Sequence, residues 1–171
     1  MPVSVELQRL CSMVDSCRVD ALESVWSLAH EIAQEGGEDR RVGALFTIGR
    51  APDVLRRSRP LILDPLRGHA PAATHVADPN LRGTLKVLAQ LDGAFIVDDD
   101  GTVMAACRYL DVPTVNVDVP LGLGSRHVAA ASISKELGIF VVVLSQSGVV
   151  RAFFAGTLVA DSGESRSSPQ R

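Results

Sequence analysis

The chain has 171 residues, enough for one domain with a real core and too few for two comfortable ones. Its apolar content of 46% lies in the ordinary globular range and argues against a disordered, collagen-like or disulfide-scaffold class. A formal charge of −3 gives nucleic acid or anionic lipid no overall attraction, and no run approaches the roughly eighteen apolar residues needed to cross a bilayer.

The three cysteines, Cys11, Cys17 and Cys107, form an odd set without metal-ligand spacing, which fits a reducing compartment. With no basic stretch followed by an apolar one at the N-terminus, a soluble, cytoplasmic protein is expected. Between Val3 and about Gln34 the residues Leu7, Leu10, Val14, Leu22, Val25, Trp26, Ala29 and Ile32 recur at helical spacing, with a break near Cys17 to Asp20. One long or two short amphipathic helices follow, with Trp26 on the buried stripe and Gly36-Gly37 as the stop.

Charged Glu38 to Arg41 lead into Val42 to Ile48, an apolar run with β-branched members that reads as a buried strand. Ala51 to Arg57 can form one or two helical turns. Arg50, Arg56, Arg57 and Arg59 make a basic cluster that is ordinarily a solvated face, with phosphate binding as its other use. Leu61 to Leu63 reads as a further short strand and Asp64 to Ala77 as a loop or broken helix, where Asp64, His69, His75 and Asp78 leave a metal site conceivable but match no metal-ligand pattern.

Asp78-Pro79 supplies the cap and first residue of a helix whose stripe is Leu81, Leu85, Leu88 and Leu91. A strand over 92–97, an acidic turn from Asp98 to Gly101 and a return strand from Val103 to Cys107 make a hairpin. Asp98, Asp99 and Asp100 are turn formers, whereas Asp92 stands at the junction of helix and strand.

Next, Leu121 to Ala131 reads LGLGSRHVAAA, a glycine-rich turn running into a helix with Arg126 and His127 on its first turn. A helix start presents unpaired N–H groups and the positive end of the macrodipole, so an anion is at home there. The plain alternative is that Ser125 caps the helix and the charges lie in solvent. Gly138 stops this helix, Ile139 to Leu144 is a buried strand, Val149 to Phe154 returns after a turn at Ser145 to Gly148, and Gly156 to Val159 adds an edge. The element order predicts a single α/β domain, a central mixed sheet flanked by helices, with an N-terminal helical segment over 1–37, a core over 38–160 and a disordered tail over 161–171.

Asp92-Gly93-Ala94 and Gly124-Ser125-Arg126-His127, in this order and setting, resemble the diadenylate cyclase domain family, the nucleotidyltransferase module of the DNA-integrity scanning protein type. The resemblance extends from about Val42 to Phe153. It implies condensation of two ATP molecules into cyclic di-AMP with release of two pyrophosphates, and a catalytic set of Asp92, Arg126 and His127. Asp92 would bind Mg²⁺ or Mn²⁺ and help activate the 3′-hydroxyl, with His127 a second candidate ligand. Gly93 and Ala94 would line the nucleotide site, Gly93 letting the ligand approach its backbone. Leu110 would pack on adenine, Gly124, Ser125, Arg126 and His127 would hold the triphosphate, and Ser145 would close the pocket.

Since each hydroxyl must attack the other nucleotide, the resemblance also implies a homodimer, at least a transient one. Two positions depart from the family pattern: Val128 stands where many members carry arginine, and Gln146 where several carry glutamate. The other reading is a catalytically impaired sensor that binds ATP or cyclic di-AMP.

Overall fold

The computed structural model describes residues 1–36, 41–114 and 116–163. The N-terminal periodicity resolves into two helices, α1 (Val5–Ser12) and α2 (Val19–Glu35), with Ser4 Oγ accepting the Leu7 N–H at the start of α1. The chain turns between them and brings Cys11 and Cys17 to a Cα separation of 5.4 Å, joined by a disulfide. This corrects the expectation of an unpaired thiol set, because the turn folds two positions six residues apart onto each other. Cys107 is free and buried, as its apolar setting suggests.

Then follow β1 (Ala44–Ile48), α3 (Ala51–Arg56), β2 (Ser58–Pro60), a single 3₁₀ turn (Pro71–Ala73), α4 (Pro79–Leu88), β3 (Ala94–Val97) and β4 (Val103–Leu110). The last elements are α5 (Ser125–Leu137), β5 (Phe140–Leu144), β6 (Val150–Phe154) and β7 (Thr157–Asp161). Among the described residues the strands form one mixed sheet in the order β2-β4-β3-β1-β5-β6-β7. Its middle pair, β1 and β3, is parallel, and the remaining neighbours are antiparallel.

The period-two alternation of the strands builds two cores. Phe46, Ile48, Phe95, Val97, Phe140 and Val142 bury against Leu22, Val25, Trp26 and Leu85 of α2 and α4. Leu45, Ile96, Val141, Val143 and Phe153 bury against Ala130, Ile133 and Leu137 of α5 and Val54 of α3. A second tie joins α2 to α4 on the first face, where Arg82 pairs with Glu31 and Lys86 with Glu31 and Glu35. Among the described residues no helix is long and apolar enough to cross a membrane.

Several boundaries differ from the sequence expectations. The short strand lies at Ser58–Pro60 and not at Leu61 to Leu63, because the chain pairs there with Arg108 to Leu110, three residues of β4 beyond the expected end at Cys107. Asp78 caps α4 as expected, but the helix ends at Leu88, which leaves Leu91 45% exposed and off the buried stripe. The expected disordered tail is overlapped by β7, which runs to Asp161 because that residue pairs in register with Arg151. Gly37, Glu38 to Arg40 and residues 164–171 lie outside the described residues.

The basic cluster near α3 is spent on the protein itself. Arg50 and Arg56 pair with Asp53, Arg57 with Glu136, and the Arg59 guanidinium lies 4.6 Å from the Tyr109 ring centroid.

Candidate functional site

The antiparallel register Ala44↔Leu144 and the parallel β1–β3 pair put the starts of β1 and β3 at the same end of the sheet as the end of β5. Here a cavity of about 770 Å³ opens, within the size range of small-molecule sites. Its wall contains Asp92, Gly93, Ala94, Leu110, Gly124, Ser125, Arg126, His127 and Ser145, the residues the resemblance assigns to the nucleotide site, whereas Asp64, His69, His75 and Asp78 do not line it. A smaller recess of about 330 Å³ shares Asp92, Arg126 and Gln146 with it.

The start of α5 forms the cationic wall. Gly124 is the N-cap, in an extended conformation and without a side-chain cap, so Ser125 is the first helical residue and not the cap. The Gly124 carbonyl accepts the N–H groups of His127 and Val128. Among the described residues nothing accepts those of Ser125 and Arg126, so the helix start retains donors for a ligand.

Asp92 lines the same cavity. It is exposed, and its Oδ1 accepts the Gly93 N–H at 2.9 Å while Oδ2 remains open. Gly93 has φ +104°, and a Cβ there would lie 2.6 Å from the Cys107 carbonyl carbon and 2.8 Å from the Arg108 nitrogen. The space is filled by β4 backbone. Cys107 itself has φ +57° within a shift of register between β3 and β4, a bulge that pushes the strand against Gly93. Gly93 is therefore explained by packing at the Asp92 turn.

Arg126 is seated on a second glycine that sequence reasoning passed over. A Cβ on Gly43 would fall 2.2 Å from Arg126 Nη1 and 2.7 Å from its Cζ, so the bare backbone before β1 is the platform for the guanidinium.

His127 is 5% exposed and packs edge-on to Phe153, with ring centroids 6.2 Å apart. Burial, with the charges of Arg151 and Arg126 adding to it, lowers its pKa to about 4. At neutral pH the ring is uncharged, and its Nε2 accepts from Arg151 Nη1 at 3.3 Å, which assigns the proton to Nδ1. Ser145 is nearly buried, with its Oγ 2.6 Å from Ser147 Oγ and accepting the Val149 N–H at 3.3 Å.

Among the described residues no three His, Cys, Asp or Glu side chains cluster as a metal cage. A lone open carboxylate fits a hard cation that brings water and phosphate oxygens as its other ligands. Of the other candidate ligands, His75 donates from Nε2 to the Asp100 carbonyl at 2.7 Å and accepts the Ala77 N–H at Nδ1, and Asp78 accepts the Asn80 N–H at the start of α4.

A helix start with unpaired amides and an open carboxylate on the wall of one cavity are the equipment of a nucleotide-binding domain. Residues 31–158 match the family model DAC, described as DisA bacterial checkpoint controller nucleotide-binding, and the chain belongs to this family. It is 41% identical over 157 residues to a diadenylate cyclase of Methanocaldococcus jannaschii, covering 91% of this chain and 50% of that protein. To a diadenylate cyclase of Haloferax volcanii it is 38% identical over 142 residues, covering 82% and 51%. The chain thus spans about half the length of these relatives. The fold is similar to the crystal structure of DacA from Staphylococcus aureus, with a TM-score of 0.54 at 24% identity over 82% of this chain and 85% of that one.

Proposed function

We propose that the chain is a metal-dependent diadenylate cyclase, working as a face-to-face homodimer. The observation that carries this reading is the shared cleft, in which the uncapped start of α5 and the open carboxylate of Asp92 face one nucleotide-sized space. Its relatives named diadenylate cyclase support the same activity.

In this reading the amides of Ser125 and Arg126 and the Arg126 guanidinium hold the triphosphate, Leu110 and Ala94 supply apolar wall against the base, and Ser145 bounds the pocket. Asp92 holds Mg²⁺ or Mn²⁺, which when bound supplies charge neutralisation between carboxylate and phosphate. His127, neutral and with Nε2 engaged by Arg151, offers its Nδ1–H and serves the phosphate site better than a metal.

Asp92 orients the 3′-hydroxyl of one ATP toward the α-phosphorus of the other. The new bond forms from the 3′-oxygen to that phosphorus, the bond to the bridging oxygen breaks, pyrophosphate leaves, and the hydroxyl proton passes to the Asp92 side. A second, symmetric transfer closes the ring. One protomer presents one such cleft, so both transfers require two copies related by a two-fold axis. Alignment and charge neutralisation supply the acceleration.

The test is incubation of the purified chain with ATP and Mn²⁺ and chromatography of the products over a range of protein concentrations. Cyclic di-AMP is expected, with a rate per protomer that falls on dilution as dimers separate. Tight ATP binding with no cyclic product under any metal or concentration would replace the cyclase by a sensor module.

A further inference from the structure

Arg151 is a charged residue within β6, between Val150 and Ala152, both fully buried. A guanidinium at such a place is costly unless it is paired. Asp161 provides the pair: the two residues are in register across β6 and β7, Arg151 Nε donates to Asp161 Oδ2 at 2.9 Å, and each side chain is only 14% exposed. Nη1 approaches His127 Nε2 at 3.3 Å. Among the described residues no protein acceptor lies on Nη2, and the residue borders the large cavity beside Ser125, Arg126 and Ser145.

The third arginine on that wall behaves differently. Arg108 donates from Nε to Ser58 Oγ and from Nη2 to the carbonyls of Leu55 and Ser58, so its bonds tie β4 to the turn before β2. Arg151 is held at Nε by Asp161 and at Nη1 by His127, and among the described residues its Nη2 keeps its donors beside the cavity. A rigidly held guanidinium with spare donors, next to an unpaired helix start, is suited to phosphate oxygens.

We infer that Arg151 is a substrate-binding residue, a second guanidinium for the anionic tail of a nucleoside triphosphate, and that Asp161 is the positioning residue that holds it. The inference rests on the nucleotide reading of the cavity. It makes the phosphate site a joint product of α5 and the β6–β7 hairpin.

The experiment compares calorimetric binding of ATP and of adenosine by the unaltered chain, Arg151→Lys and the double variant Arg151→Gln/Asp161→Asn. The double variant removes both charges together, so no unpaired ion stays buried, and its melting curve reports the fold. ATP affinity in it is expected to fall about tenfold or more, as for a lost charged hydrogen bond, with adenosine affinity unchanged. Arg151→Lys, which keeps the charge and loses the fork, is expected to lose about threefold toward ATP alone. Should the double variant fail to fold, the lysine variant decides by the same contrast.

Equal losses for ATP and adenosine, or no loss for either, would overturn the assignment and reduce Arg151 to a support for His127. Failure of the unaltered chain to bind ATP would overturn the proposed function and this inference with it.

Discussion

Two helices begin on the same face of the sheet, at opposite ends, and treat their first amides in opposite ways. At the start of α3, Asp98 Oδ1 accepts the Ala51 N–H at 3.2 Å and Asp99 Oδ1 accepts the Arg50 N–H at 2.8 Å, while Arg50 reaches back to the Leu137 carbonyl at 2.6 Å. At the start of α5 the cap is a glycine with no side-chain acceptor, and the nearby carboxylate, Asp92, lines the same cavity. Glycine, aspartate and arginine occur at both ends, so residue type does not mark the site. Hydrogen-bonding capacity left unused does: one end has closed its polar groups on each other, and the other keeps them for a ligand.

The sharpest way to break this contrast is Asp92→Asn, which keeps the shape and removes the open charge. Cyclic di-AMP formation is expected to drop about a thousandfold in the product assay, with ATP affinity nearly kept; full activity would remove Asp92 from the mechanism. Gly93→Ala attacks the turn that carries it, and the forced φ and clash with β4 should cost about 2 kcal/mol or more in a denaturant melt. Arg126→Ala is expected to weaken ATP binding about tenfold, measured by calorimetry, and Gly43→Ala about threefold by pushing the same guanidinium from its seat.

At the closed end, Asp98→Ala should lower stability by about 1 kcal/mol and leave ATP affinity untouched, since that carboxylate serves only the fold. A further test is one of pH. His127 titrates near 4 when folded against an ordinary value of 6.5, so acid protonates the unfolded chain first. Its contribution to stability is complete above pH 6.5 and is lost as pH falls toward 4, and His127→Gln should flatten that part of the stability profile.

Much of this could be read from the chain itself. Asp92, Arg126 and His127 are polar residues where the pattern calls for apolar ones, and Gly138 and Asp78 mark helix ends through local chemistry, as the αL stop and the Asp78 cap bear out. Gly43 was not legible, because its need for a missing side chain comes from a guanidinium attached far along the chain. The bulge at Cys107 was hidden for a related reason: a register shift is a property of two strands, and each alone reads as regular. Arg151 offered a signal in its apolar run, but its meaning depended on Asp161, which composition had assigned to a tail. The Cys11–Cys17 pair likewise depended on a tight turn that periodicity shows only as a break.

The parallel pairing of β1 with β3 has a kinetic consequence. It brings Gly43 and Asp92 to neighbouring strand starts only by closing a long intervening loop, and seating Arg126 on Gly43 closes a longer one. Nucleotide capture should therefore return in the last phase of refolding, together with the completed middle of the sheet, and a partly folded chain should show helical signal well before it can retain ATP.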